Sequence, residues 1–178
     1  LAGINKKLFS HLNVEDSDPV WEKFAEIRFS KKKRFPDHNA YLVEEGLVRK
    51  FYISTTSDID TEICAEFYFP GDIFTVEGNE AVYESISNGL VWKITLDEVK
   101  EMFAVNPGCR FVQNYYLSRK LNAAMKREML LLKNTPQDLY EYLLKSKPHY
   151  IQNIPLKYLA SYIGVTPISL SRIRKRIM

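Results

Sequence analysis

Near its C-terminus the chain reads Thr166-Pro167-Ile168-Ser169-Leu170-Ser171-Arg172-Ile173-Arg174-Lys175-Arg176-Ile177. Hydroxyls, a guanidinium fork and ammonium groups on one short segment suit non-covalent recognition rather than bond breaking. Leu170, Ile173 and Ile177 recur at helical spacing and define an inward stripe. The outward face is then Ile168, Ser169, Ser171, Arg172, Lys175 and Arg176. On such a helix the N-terminal residues reach base edges in a major groove, so Ser169 and Arg172 are the expected readers, with Arg172 bidentate to guanine. Lys175 and Arg176, further along, suit phosphate, and Ile168 suits a thymine methyl. A basic run alone fits a solvated face better, so the decision rests on what positions it.

The flanking residues have the spacing of a helix-turn-helix. Pro155 opens a first helix in which Leu156, Leu159, Ala160 and Ile163 share a face. Gly164 can take the left-handed conformation that ends it. Thr166 then caps the second helix, with Pro167 at the first position, where the missing N–H costs nothing. Ala160 is small enough for the two helices to approach closely. Upstream, Thr135-Pro136 with Asp138 marks another helix start, running through "QDLYEYLLK" to about Ser146, and "SKPHYIQN" reads as a connecting loop.

From about Arg110 to Lys133 the chain contains no Gly or Pro. Phe111, Tyr115, Ser118, Asn122, Met125, Met129 and Leu132 follow a 4,3,4,3,4,3 spacing, a heptad seam suited to a second copy of the same helix. Leu117, Leu121, Ala124 and Leu131 form a neighbouring line that needs its own cover, expected from the β domain. Ser118 and Asn122 are either polar seam residues that fix register or part of a ligand pocket.

Before Thr95 the pattern is short and strand-like. Val20 to Phe29 begins as a helix and passes into "RFSKKKRF", read as a solvated turn. "AYLV", "LVRKFYIS", "EICAEFYF", "AVYESIS" and "LVWKIT" follow, punctuated by Glu45-Gly46 and by Pro70-Gly71, which fits the centre of a type II turn. Together these predict an antiparallel sandwich or roll. Asp97 to Ala104 reads as a short helix broken by Asn106-Pro107-Gly108.

Composition sharpens the division. The chain is 46% hydrophobic, enough for a real core, and its net charge of +3 is unevenly spread. Leu1 to Cys109 carries 12 Lys+Arg against 19 Asp+Glu, a balance of −7, whereas Arg110 to Met178 carries 13 against 3, a balance of +10. A basic end on an acidic body points to a polyanion on one side only. Cys64 and Cys109 stand too far apart for a disulfide framework or a zinc motif, which suits a reducing cytoplasm. No apolar run is long enough for a bilayer and no signal-peptide pattern is present, so no membrane partner is expected. An enzyme on a cupin-like barrel would cluster several His on neighbouring strands. Of His11, His38 and His149 only His38 lies near them, so no catalytic residue, metal site or cofactor is expected.

This order of parts resembles the Crp/Fnr family of transcription regulators. "EEGLVRKFYIS", "FYFPGDIF", the helix from Arg110 to Lys133 and "IPLKYLASYIGVTPISLSRIRKRI" carry the resemblance, which covers nearly the whole chain. It implies an α+β protein: an antiparallel β-roll or jelly-roll sensor of the cyclic-nucleotide-binding type at 1–109, a dimerisation helix at 110–134, and an all-α, winged-helix-type helix-turn-helix domain at 135–178. It implies a homodimer on double-stranded DNA, a small-molecule effector and RNA polymerase as partners. In the family's cyclic-AMP receptor the position matching Arg172 contacts guanine, and those matching Ser169 and Lys175 contact the backbone. Thr166, Pro167, Ile168, Ser169, Ser171, Arg172, Lys175 and Arg176 would form the reading surface. Pro167 and Ile168 replace that receptor's other base readers, so a different operator is expected. The effector pocket would involve Gly71, Asp72, Glu77, Ser118 and Asn122. From Phe51 to Trp92, however, there is no Lys or Arg against eight acids, Asp58, Asp60, Glu62, Glu66, Asp72, Glu77, Glu80 and Glu84. A cyclic phosphate would lack its cation there, so cyclic AMP bound in the usual way is not expected. Two distant cysteines cannot hold an iron–sulfur cluster. The alternative is a β-roll that binds a small molecule or a protein, with no specific hold on DNA.

Overall fold

The computed structural model describes residues 19–55, 60–78, 80–105 and 107–177; the side chains of 19, 20, 60, 105, 107–113 and 115 lie outside that description. A 3-10 turn at Pro19–Lys23 precedes β1 (Ala25–Phe29), β2 (Asn39–Glu45), β3 (Val48–Thr55), β4 (Asp60–Tyr68), β5 (Ile73–Val76), β6 (Val82–Ser85) and β7 (Gly89–Thr95). The helices are α1 (Leu96–Val105), α2 (Pro107–Lys133), α3 (Pro136–Ser146), α4 (Pro148–Asn153), α5 (Leu156–Ile163) and α6 (Pro167–Ile177). The chain divides into two compact units, Leu1–Phe51 with Glu66–Tyr116, and Tyr52–Ala65 with Leu117–Met178. Strands β3 and β4 and helix α2 each pass from one unit into the other.

The strands form two antiparallel sheets, ordered β1-β7-β2-β5 and β4-β3-β6. Because side chains alternate along a strand, β2 feeds two separate cores. Ala40 and Leu42 join Trp21, Phe24, Leu90, Trp92, Ile94 and Leu96 on one side. Tyr41 and Val43 join Phe35, Val48, Tyr68, Phe74 and Tyr83 on the other. A sheet covered on both faces needs apolar residues at successive positions, which explains the unbroken run "AYLV". The second core is aromatic: Phe74 stacks on Tyr41 at 5.0 Å and on Tyr83 at 5.4 Å, while Phe35 meets it edge-on at 5.2 Å. Pairs of this geometry add about 0.5–1.5 kcal/mol each beyond area burial. Burial and the neighbouring Glu66 push the Tyr68 hydroxyl pKa upward, and the protonated group donates to Glu66 at 2.6 Å.

Two strands depart from the sequence reading. Ala25–Phe29, read as the continuation of a helix, is β1, an edge strand in register with β7 through Ile27↔Val91 and Phe29↔Gly89. Its outward Glu26 and Arg28 pair with each other at 2.9 Å. Ile73–Val76 is β5, paired with β2 through Tyr41↔Phe74. The turn before it has the expected form: the Asp72 N–H donates to the Phe69 carbonyl at 2.9 Å, and Gly71 sits at φ 92°, open to glycine and strained for other residues. "RFSKKKRF" contains the exposed turn after β1, as read.

The helical part follows its local punctuation closely. Thr135 caps α3: its hydroxyl accepts the Asp138 N–H at 3.3 Å while the Asp138 carboxylate accepts the Thr135 N–H at 2.9 Å. The Thr135 hydroxyl also donates to that carboxylate at 2.6 Å, and this bond first, the one from the Thr135 N–H second, holds the Asp138 carboxyl below the usual carboxylate range. Thr95 and Glu98 make the same reciprocal arrangement at the start of α1, with the same effect on Glu98. Helix α2 begins at Pro107, three residues before the expected Arg110, because Pro suits a first helical turn. "SKPHYIQN" is not a loop: Pro148 starts α4, and Tyr150 is buried. No strand lies between α3 and the end of α6 among the described residues, so the wing of a winged-helix domain is not found there.

Candidate nucleic-acid interface

Helices α5 and α6 are joined by a turn of three residues, Gly164 to Thr166. Gly164 adopts φ 86°, and its N–H reaches the Ala160 and Ser161 carbonyls at 3.0 and 3.1 Å. The Val165 N–H returns to Ala160 at 3.0 Å, which ends α5 sharply and redirects the chain. The Thr166 hydroxyl then accepts the Ser169 N–H at 3.2 Å, capping α6, with Pro167 at its first position. Ala160 and Leu170 are wholly buried, and Tyr158, Leu159 and Ile163 are buried beside them. The inward stripe therefore lies where its spacing placed it, with Ile173 and Ile177 half-buried at its margin.

The opposite side of α6 carries Pro167, Ile168, Arg172, Lys175 and Arg176, all exposed, with Ile168 at 66%. Ser171 and Arg174 are half-buried. Ser169 is half-buried too, and its hydroxyl lies 3.0 Å from that of Thr166, so the cap shares a group expected to face DNA. Among the described residues none of Arg172, Lys175 and Arg176 forms an ion pair with a carboxylate. A rigid, capped helix thus presents an uncompensated cationic face with an apolar residue at its leading end.

On α2 the expected seam is exposed wherever its side chains are described. Ser118 and Asn122 face solvent, Met125 and Met129 are about half-exposed, and Leu132 is 79% exposed. The side chains of Phe111 and Tyr115 lie outside the described ones. Leu117, Leu121 and Ala124, expected beneath the β domain, are exposed as well.

The expected effector residues are divided between the two units. Gly71 and Asp72 serve the turn: the Gly71 N–H donates to the Val43 carbonyl, the Val43 N–H to the Asp72 carbonyl, and the Asp72 carboxylate accepts the Phe69 N–H, each at 2.9 Å. Glu77 is exposed after β5, and no helix lies between β5 and β6 among the described residues. Ser118 and Asn122 fall in the other unit. Asp58 lies outside the described residues. An open cleft in the first unit is lined by Arg28, Phe29, Ser30, Glu45, Asn88 and Gly89, none of them predicted as site residues.

Sequence reasoning missed Arg49. Only 2% exposed, this β3 side chain donates to Glu84 Oε1 from Nε at 3.2 Å and from Nη2 at 2.7 Å, and lies 3.9 Å over the Phe51 ring. The acid-rich stretch is therefore not wholly without a cation, but this one is already committed to a carboxylate. His38 Nε2 lies 3.4 Å from Asp97 at the surface, and the His149 ring packs edge-on to Tyr150. His11 lies outside the described residues. Among the described residues no group of three His, Cys, Asp or Glu could hold a metal, and no helix is long and apolar enough to cross a membrane.

No family model and no curated protein matches the sequence. Solved structures do match its fold. FixK2 from Bradyrhizobium japonicum is 18% identical with a TM-score of 0.76, covering 86% of this chain and 84% of that one. A mutant of CooA from Carboxydothermus hydrogenoformans is 18% identical with a TM-score of 0.72, covering 95% and 83%. A protein from Eubacterium rectale described as a transcriptional regulator of the crp/fnr family is 16% identical with a TM-score of 0.67, covering 96% and 81%. The fold is that of Crp/Fnr regulators: an antiparallel β-roll followed by helices, α+β overall.

Proposed function

We propose that the chain is a sequence-specific DNA-binding transcription regulator of the Crp/Fnr type, active in the cytoplasm as a homodimer and not an enzyme. The observation that carries this reading is the outward face of α6, whose Arg172, Lys175 and Arg176 form no ion pair among the described residues, held on a capped helix by the buried Ala160 and Leu170. In this reading Arg172 forks onto guanine, Ile168 meets a thymine methyl, Thr166, Pro167, Ser169 and Ser171 approach at the leading end, and Lys175 and Arg176 bind phosphate. The seam on α2 supplies the two-fold partner, with Met125, Met129 and Leu132 as its apolar members and RNA polymerase as a further partner of the assembly.

Cyclic AMP is not the effector in this reading. Three features support that: no helix lies between β5 and β6 among the described residues, the Asp72 carboxylate is spent on the Gly71-Asp72 turn, and Arg49 is held by Glu84. Calorimetry with cyclic AMP and the purified protein is expected to give no binding heat.

A mobility-shift titration tests the division of labour on α6. The affinity should fall with salt in proportion to the phosphates neutralised. Arg172→Ala should relax preference at one base position by about 1–3 kcal/mol, whereas Lys175→Ala should weaken all sequences alike and reduce the salt slope by about one. Equal, sequence-independent losses for both would contradict the assigned roles.

A further inference from the structure

Within the second unit one junction ties three distant segments together, and it involves none of the residues that face DNA. Ser161, on α5, binds the backbone of β4 twice: its hydroxyl accepts the Cys64 N–H at 2.9 Å and donates to the Glu62 carbonyl at 2.8 Å. The N–H of one residue and the carbonyl two residues earlier point to the same edge of a strand, and the order β4-β3-β6 leaves β4 at the edge of its sheet. Ser161 therefore satisfies part of an edge that would otherwise need water or another strand. Arg127, on α2, completes the arrangement. Its Nη2 reaches the Cys64 carbonyl at 3.4 Å and the Tyr162 carbonyl at 3.2 Å, and its guanidinium lies 4.5 Å over the Tyr162 ring.

The Tyr162 carbonyl is in the last turn of α5, where helical carbonyls lack partners along the helix and carry partial negative charge. Gly164 and Val165 take up those of Ala160 and Ser161, and Arg127 takes the next one. Arg127 Nε is buried without a hydrogen-bond partner, so this side chain is held by two carbonyls and a ring rather than by a matched carboxylate. Between Lys133 and Leu156 the backbone path from α2 to α5 runs through α3, α4 and their turns. The direct tie from Arg127 shortens that path to one side chain.

Resting on the dimeric DNA-binding reading above, we infer that Ser161 and Arg127 are positioning residues that fix the orientation of the α5–α6 pair against α2, and thereby set which half-site spacing a two-fold dimer accepts. Each base pair added between half-sites moves the second one by about 3.4 Å and rotates it by roughly 35°. A reading head fixed to its stalk tolerates one spacing, and a head freed from it tolerates several. The residues act on DNA only through this geometry.

The test uses the full chain and palindromic duplexes whose half-sites are separated in one-base-pair steps, beside a duplex with a single half-site. For the unmodified protein the expected result is one preferred spacing, at least tenfold above its neighbours. Ser161→Ala and Arg127→Met should flatten that preference to about twofold while leaving single-half-site affinity unchanged, and Arg127→Lys should fall between. Amide exchange at Cys64 should quicken in Ser161→Ala, a readout independent of DNA. Spacing profiles that remain sharp in both variants despite faster exchange at Cys64, or equal losses on palindrome and half-site, would overturn the inference. If Ser161→Ala fails to fold, Arg127→Met carries the same comparison. A flat profile for the unmodified protein would instead strike the dimeric reading itself, and the inference with it.

Discussion

Arg49 and Arg172, one from each unit, sit in opposite surroundings. In the β-rich unit Arg49 is almost wholly buried and matched by Glu84, whereas in the helical unit Arg172 is exposed on a capped helix with no carboxylate partner among the described residues. A buried matched pair answers to its own fold. An exposed set without such a match on a rigid element has no folding role to explain it, which is why the reading proposed above gives it a polyanion outside the chain. The difference separates scaffold chemistry from recognition chemistry without reference to any relative.

The sharpest way to break this contrast is to remove one partner of the buried pair. Arg49→Ala leaves Glu84 without its guanidinium and is expected to cost about 3–5 kcal/mol of stability in a denaturant titration, while Arg49→Met with Glu84→Leu should recover most of it. Arg172→Ala should leave the melting transition within about 0.5 kcal/mol of the parent. If both arginines proved equally structural, the contrast would vanish.

Next in size is the α2 seam. Leu132 is 79% exposed, and burial of a leucine contributes about 1.5–3 kcal/mol. Leu132→Asp should weaken self-association by about a hundredfold, roughly 2.7 kcal/mol, in sedimentation equilibrium, with no loss of helical signal. An unchanged association constant would remove the seam from the interface.

A smaller effect is expected at the α6 cap. Thr166→Ala deletes the acceptor for the Ser169 N–H and should cost about 1 kcal/mol. Because the Thr166 and Ser169 hydroxyls also touch, DNA affinity should fall with it, which no cap in the β-rich unit would do.

The smallest effect is one the two units share. Asp138 and Glu98 both have carboxyl groups held below the usual range by the Thr hydroxyl and backbone they face. A depressed folded-state pKa gives stability that is present above the unfolded value, about 4, and is lost as pH falls through the folded one. Melting temperature should therefore decline slightly on acidification below about pH 4, and Asp138→Asn should flatten the helical unit's share. A rise in stability over that window would contradict the cap assignment.

What could be read from sequence was what is decided locally. Thr135 with Asp138, Pro167 after Thr166, and Gly164 each place a helix end by interactions within four residues, and all three lie where they were expected. Strand β1 was not legible, because "AEIRF" becomes a strand through pairing with β7, sixty or more residues away. Arg49 was missed for the same reason: in "LVRKFYIS" it reads as an outward residue until Glu84, 35 positions on, faces it across the β3–β6 pair. Pro148 did mark α4, but so short a helix gives too little periodicity to stand out from a loop. The cationic face of α6 was legible since an exposed face needs no distant partner.

Selection of duplexes from a random pool by the purified, unmodified protein tests the central claim most directly. The account predicts enrichment of a palindrome with half-sites one helical turn apart, each containing a guanine whose selection disappears with Arg172→Ala. Enrichment of no sequence, with binding that depends only on duplex length and salt, would contradict it.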